Sequence, residues 1–258
     1  MNQLVIDEQP SQTLARGLQI LEKFSSQRSE WGVRELGREL DLNPATVHRL
    51  VTTLANLGYL EQDQETQRYA LGPKVMRLAE LYTLHNPISS IARKIFQRHA
   101  QTFPYNFYLG KLSGFEVVYL TTYEGRAPIK VVVEPGATIA LHSTAVGLSL
   151  LACQEESFIE SFLEKGALTR YTDATVTDPR RLRVRLDGIR QKQYAINRGE
   201  HYADVGAVGA PVVKRGKRVE YGVSLAYPQH LVAEGRVEIP ELIALTQEMA
   251  AEIAARMA

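Results

Sequence analysis

A chain of 258 residues with 45% hydrophobic and 23% charged residues has ordinary globular composition, enough for one large domain or two modest ones. That excludes a disordered or fibrous protein, and a formal charge of +1 means that bulk charge by itself points to no nucleic-acid partner. The single cysteine, Cys153, excludes an intramolecular disulfide framework and fits a reducing compartment. The opening MNQLVIDEQP lacks the basic region and apolar core of a signal peptide, and the longest uncharged run, 135–154, is too polar for a transmembrane helix. The expectation is a cytoplasmic protein with no membrane partner.

Up to residue 86 the apolar residues keep helical spacing. Leu14, Leu18, Leu21 and Phe24 mark one face, Val33, Leu36 and Leu40 a second, and Val47, Leu50, Val51 and Leu54 a third. The third helix is well delimited, with Asn43 as N-cap, Pro44 at the first helical position and Gly58 as the stop. Tyr59–Leu60 and 68–71 read as the arms of a hairpin around the polar stretch 61–67. A helix from Lys74 then leads to Asn86-Pro87, a hinge between domains.

Beyond Pro87 the pattern is mixed. Helices are expected over 88–103, 143–153, 179–193 and 240–257, with strands over 106–112, 116–123, 129–134, 207–213 and 221–226. The strands pair as hairpins rather than alternating with helices, so the fold class is α+β with a largely antiparallel sheet. The basic run PRRLRVRLDGIRQK (179–192) carries six Lys+Arg against one acid, but Leu182, Leu186 and Ile189 give it an amphipathic helix with a solvated basic face.

Three short helices and a hairpin are the plan of a winged helix-turn-helix. Its third helix would turn Ala45, His48, Arg49, Thr52 and Asn56 outward, with Thr46 and Thr53 at the flanks, a set suited to the major groove of double-stranded DNA. Arg68 on the wing and Arg16 in the first helix are candidate phosphate contacts. Residues 12–72 nevertheless hold seven Lys+Arg against eight Asp+Glu, a net −1, and winged helices also dock proteins. A small-molecule-binding scaffold that uses its winged helix for protein contacts is therefore the alternative reading.

In the second half, Ser143 and Thr144 stand where a helix begins. The first amides of a helix lack internal partners and attract a carboxylate, although a capped core helix fits the same pattern. No nucleophile elbow accompanies His142-Ser143, and the spacing of His142, Cys153, Glu200, His201 and Asp204 matches no zinc pattern. Neither catalysis nor a metal or other cofactor is expected.

The segments TLARGLQILEKF (13–24), VRELGRELDLNPATVHRLVTTLANLGYLEQD (33–63) and RYALGP (68–73) resemble the DNA-binding domain of the IclR family of bacterial transcriptional regulators. LHSTAVGLSLLA (141–152), GAVGAPV (206–212) and GVSLAYP (222–228) resemble its later motifs, in the same order. The resemblance implies a winged helix-turn-helix at 13–73, a linker helix at 74–87 and a GAF-like effector domain at 88–258. It implies a ligand-responsive regulator of a catabolic operon that binds operator DNA as a homodimer, possibly paired into a tetramer. It also implies a small organic-acid effector held by Ser143, Thr144 and the backbone of Ala145 and Val146. Where members that bind very small acids carry an Asp, a Cys and two serines, this chain has Asn197, Ala207, Ser224 and Ala226. Fewer polar partners favour a bulkier, aromatic acid, with Tyr105, Phe107, Tyr119 or Tyr123 near it. Leu148 and Asp204 are further departures, standing where the family commonly has Lys and Gly.

Overall fold

In the computed structural model, which describes residues 11–25, 27–126 and 133–257, the first helix starts at Ser11, whose hydroxyl accepts the Leu14 amide. Contacts divide the chain into two units, 1–86 and 87–258. The first contains helices α1 (Gln12–Leu21), α2 (Val33–Glu39) and α3 (Pro44–Asn56), strands β1 (Leu60–Gln62) and β2 (Tyr69–Leu71), and helix α4 (Lys74–His85). As expected, Asn43 caps α3, its side chain accepting the Thr46 amide at 2.8 Å, and Gly58 closes it with a φ of 79°. Val47, Leu50 and Val51 pack with Ile20, Leu36, Leu60 and Tyr69. Trp31 ties the wing to this core by exchanging backbone hydrogen bonds with Tyr69, while its indole N–H donates to the Lys23 carbonyl.

One expectation for α1 fails. Leu14 and Leu18 are 64% and 51% exposed, and the fully buried residue of the helix is Ile20. The helix anchors through its C-terminal end, which leaves its first turns as the apolar wall of a groove completed by Leu50, Leu54 and Leu57. In α4 no residue is buried, and Met76, Leu78, Leu81, Tyr82 and Leu84 are all exposed.

The second unit runs α5 (Ile88–His99), β3 (Asn106–Ser113), β4 (Glu116–Tyr123), β5 (Thr138–Ala140), α6 (Ala145–Ala152), α7 (Glu156–Lys165), α8 (Pro179–Lys192), β6 (Ala195–Arg198), β7 (Val205–Pro211), β8 (Tyr221–Pro228), α9 (His230–Ala233) and α10 (Ile239–Arg256). Its six strands form one antiparallel sheet in the order β5-β4-β3-β8-β7-β6. The strand expected over 129–134 falls largely outside the described residues. Its last two positions, Val133 and Glu134, are not in a strand.

Period-two alternation gives the sheet two working faces. Phe107, Leu109, Val208, Ala210, Val223 and Leu225 pack against α5 and α10, and the intervening residues of the same strands face α6. Helices α7 and α8 complete the layer on that second side. Leu182, Leu186 and Ile189 bury one side of α8 as the sequence suggests, while Arg183 pairs with Glu156 and Arg185 with Glu200. Among the described residues no helix is long and apolar enough to cross a membrane.

Candidate functional site

Helix α3 presents Ala45, His48, Arg49, Thr53 and Asn56 to solvent, with Thr46 and Thr52 half-buried beside them. No Asp or Glu lies on the helix. The acidic excess of this unit is partly consumed elsewhere. The Glu35 carboxylate accepts the Gly32 amide at 3.0 Å and receives Arg28 at 2.9 Å and Arg68 at 2.7 Å. The Gly32 hydrogen bond first, then the two arginines, hold its pKa below the usual carboxylate range. Glu39 pairs with Lys23 at 3.2 Å, and Glu30 lies 3.8 Å from Arg68. Arg68, expected as a free phosphate ligand, therefore stands between Glu30 and Glu35 and fastens the wing to α2. Arg16 is half-buried.

In the second unit the residues singled out from sequence converge. Thr144 is the N-cap of α6, its hydroxyl accepting the Gly147 amide at 3.1 Å and donating to the Ala140 carbonyl at 2.8 Å. That leaves the amides of Ala145 and Val146, with which no acceptor pairs among the described residues. Both residues are almost wholly buried, at 2% and 1% exposure. Two glycines permit this packing. A Cβ on Gly147 would lie 2.6 Å from Leu141, and one on Gly209 would lie 2.4 Å from the Ala145 carbonyl carbon, so β7 runs directly against the first turn of α6.

A cavity of about 40 Å³ opens there, lined by Thr144, Ala145, Val146, Asn197, Ala207, Ser224 and Ala226 together with Tyr108, Tyr119, Ile139, His201, Tyr202 and Val205. Ser143 stands behind the lining, its hydroxyl 2.9 Å from His201 Nδ1 and its carbonyl accepting the Asn197 side-chain amide. Asn197 in turn accepts the Glu200 amide at 3.2 Å, and Glu200 is fixed by both terminal nitrogens of Arg185 at 2.8 Å. Glu200 and Arg185 thus neutralise each other behind the cavity, and among the described residues no Lys or Arg lines it. Burial lowers the pKa of His201 to about 4 and also lowers that of His142, so both rings are neutral at pH 7. Burial likewise pushes the Tyr108 and Tyr119 phenols well above their ordinary range.

Of the aromatic residues expected near the pocket, Tyr119 is in it. Tyr105 and Phe107 belong to the opposite core against α5 and α10, and Tyr123 packs on that same side. The aromatic residues that sequence reasoning missed are Tyr202 and Tyr108, the latter one position out of phase with Phe107 and its ring 5.3 Å from that of Tyr119. His201 was considered only as a metal ligand. Among the described residues no group of three His, Cys, Asp or Glu could hold a metal ion. Asp204 adopts no left-handed backbone, and its carbonyl accepts the Gln229 amide at 2.9 Å, so the turn before β7 forms without glycine at that position.

Residues 13–64 match the model of the IclR helix-turn-helix domain, and 81–255 match that of the bacterial transcriptional regulator IclR C-terminal domain. The regulator BhcR of Paracoccus denitrificans is 30% identical over 87% of this chain and 80% of its own length. XynR of Escherichia coli is 30% identical over 83% and 85% respectively. A solved IclR transcriptional regulator from Silicibacter superposes with a TM-score of 0.75 at 30% identity, covering 94% of this chain and 96% of that one. With a winged helix, a mixed sheet domain and both family models matched in order, the chain belongs to the IclR family of bacterial transcriptional regulators, which are DNA-binding proteins rather than enzymes.

Proposed function

We propose that this protein is an operator-binding regulator of a catabolic operon whose DNA affinity is set by a small organic acid bound at the start of α6. The observation that carries the reading is the pair of buried, unpartnered amides of Ala145 and Val146 at a helix N-terminus inside an uncharged cavity. A carboxylate accepts from both amides and meets the positive end of the helix dipole, and no side-chain cation is needed. Thr144 shapes that first turn, and Ser143 and Asn197 fix the backbone around it. Ala207 and Ala226 present methyl groups, and Ser224 one hydroxyl, which favours an acid whose remainder is apolar or aromatic.

On the DNA side, Thr46, His48, Arg49 and Thr52 are the residues we assign to the major groove, with Arg16 as the candidate phosphate contact. Arg68 acts by holding the wing rather than by meeting a phosphate. The exposed apolar residues of α1 and α4 support a homodimer formed through these helices, with tetramers as a further step. The dimer matters to function because one winged helix of near-neutral charge binds DNA weakly, and two half-sites double the contacts.

A thermal-shift panel of aliphatic and aromatic carboxylates, followed by operator binding with and without each hit, tests the reading. A raised melting temperature together with a changed operator affinity is expected. Hits that raise the melting temperature without altering operator binding would contradict it.

A further inference from the structure

The cavity at the start of α6 is too small for a ring. About 40 Å³ accommodates about three waters, the size of a carboxylate with a carbon or two. Next to it lies a second cavity of about 660 Å³, and Tyr119, Ile139, His201 and Tyr202 belong to the walls of both. The partition is thus one layer of side chains. Its outermost member, Tyr202, is 48% exposed, sits on the turn between β6 and β7 and packs edge-on against His201 with ring centroids 4.6 Å apart.

The larger cavity is built for an uncharged body. Phe115 and Phe162 supply aromatic surface, and the rings of Tyr171 and His201 lie 4.1 Å apart at its wall. His142 donates from Nε2 to the Thr169 carbonyl at 2.9 Å, which leaves its buried Nδ1 as an acceptor without a partner among the described residues. Among the described residues no Lys or Arg lines this space, whereas Glu116 and Glu134 do, so a second carboxylate on the ligand is disfavoured.

We propose that the two cavities form one site for an elongated monocarboxylic acid. Its carboxylate sits in the inner cavity against the α6 amides, and an uncharged, ring-sized body extends past His201 and Tyr202 into the outer one. This rests on the carboxylate reading of α6 and adds the size, charge count and shape of the ligand to it. Tyr202 and His201 then contact the bound molecule where head and body join, which makes them the specificity-determining positions.

The test measures dissociation constants of the full-length protein for propionate, 3-(4-hydroxyphenyl)propionate and succinate. The aryl acid is expected to bind at least tenfold more tightly than propionate, and succinate no better than propionate. Thr138→Trp and Ala167→Trp, at exposed positions on the wall of the outer cavity, are expected to remove the tenfold advantage and leave propionate binding as it was. Ala226→Leu, which fills the inner cavity, is expected to abolish binding of both. Equal binding of propionate and the aryl acid, or an advantage that survives both tryptophans, overturns the elongated-ligand proposal while the α6 carboxylate site stands. Tighter binding of succinate overturns the monocarboxylate assignment. Failure of all three acids to bind the wild type sinks the α6 reading and this inference with it.

Discussion

Arg49 is the sole Lys or Arg on α3, and it is exposed with no acid on its own helix to compete for it. Arg49→Ala is expected to weaken operator binding by about 1–3 kcal/mol with relaxed preference at one base if the guanidinium reads guanine, or uniformly with a salt slope reduced by about one if it meets a phosphate. Competition binding across salt concentrations separates the two. An acid-induced rise in melting temperature is expected to be unchanged in this variant. At the other site, His201 is held neutral by burial, with its pKa lowered from 6.5 to about 4. Between those values the unfolded chain binds more protons than the folded one, so the contribution is complete above pH 6.5 and is lost as pH falls toward about 4. The melting temperature should drop across that window, and His201→Gln should flatten the drop. At this scale the sequence was an uneven guide. Ser143, Thr144, Asn197, Ala207, Ser224 and Ala226 come together around one cavity, but Phe107 lies on the opposite face and its neighbour Tyr108 lines the cavity instead, because a strand read one position out of phase exchanges its two sides. The partners of Arg68 lie over thirty positions away in sequence, where no local pattern reveals them.

Elements with strong end signals were legible. Asn43-Pro44 and Gly58 delimit α3, and apolar periodicity gave the buried faces of α3 and α8 correctly. The short strands β5 and β6 and the helix α7 were not anticipated. Three or four residues carry too little periodicity to register, and α7 lies between a buried uncharged helix and an irregular segment that blur its edges. The close approach of β7 to α6 is a tertiary fact for which Gly209 was the only local sign. Gly209→Ala puts a methyl within 2.4 Å of the Ala145 carbonyl carbon, so the strand and helix must part. The expected cost is about 1–3 kcal/mol of stability, seen as a lower melting temperature, together with a diminished response to effector because the α6 amides shift.

For the whole molecule, near-zero net charge and internally paired acids are the reason for proposing that the protein gains useful DNA affinity by dimerising. Leu81→Glu in α4 is expected to move the protein toward monomer in sedimentation and to weaken operator binding steeply, and an unchanged dimer would place the interface elsewhere. The proposed effector control then requires that the acid bind one arrangement of the proposed dimer better than the other. Everything in that account depends on the carboxylate meeting the first amides of α6, and one substitution isolates them. Ala145 is the first residue of the helix and Thr144 before it is already extended, with φ −123° and ψ 150°, so Ala145→Pro is compatible with the backbone and removes an N–H. The measurement is the acid-induced shift in melting temperature of the wild type and of Ala145→Pro. The predicted result is an unaltered ligand-free melting temperature and a lost or strongly reduced shift in the variant. An equal shift in both proteins would contradict the site.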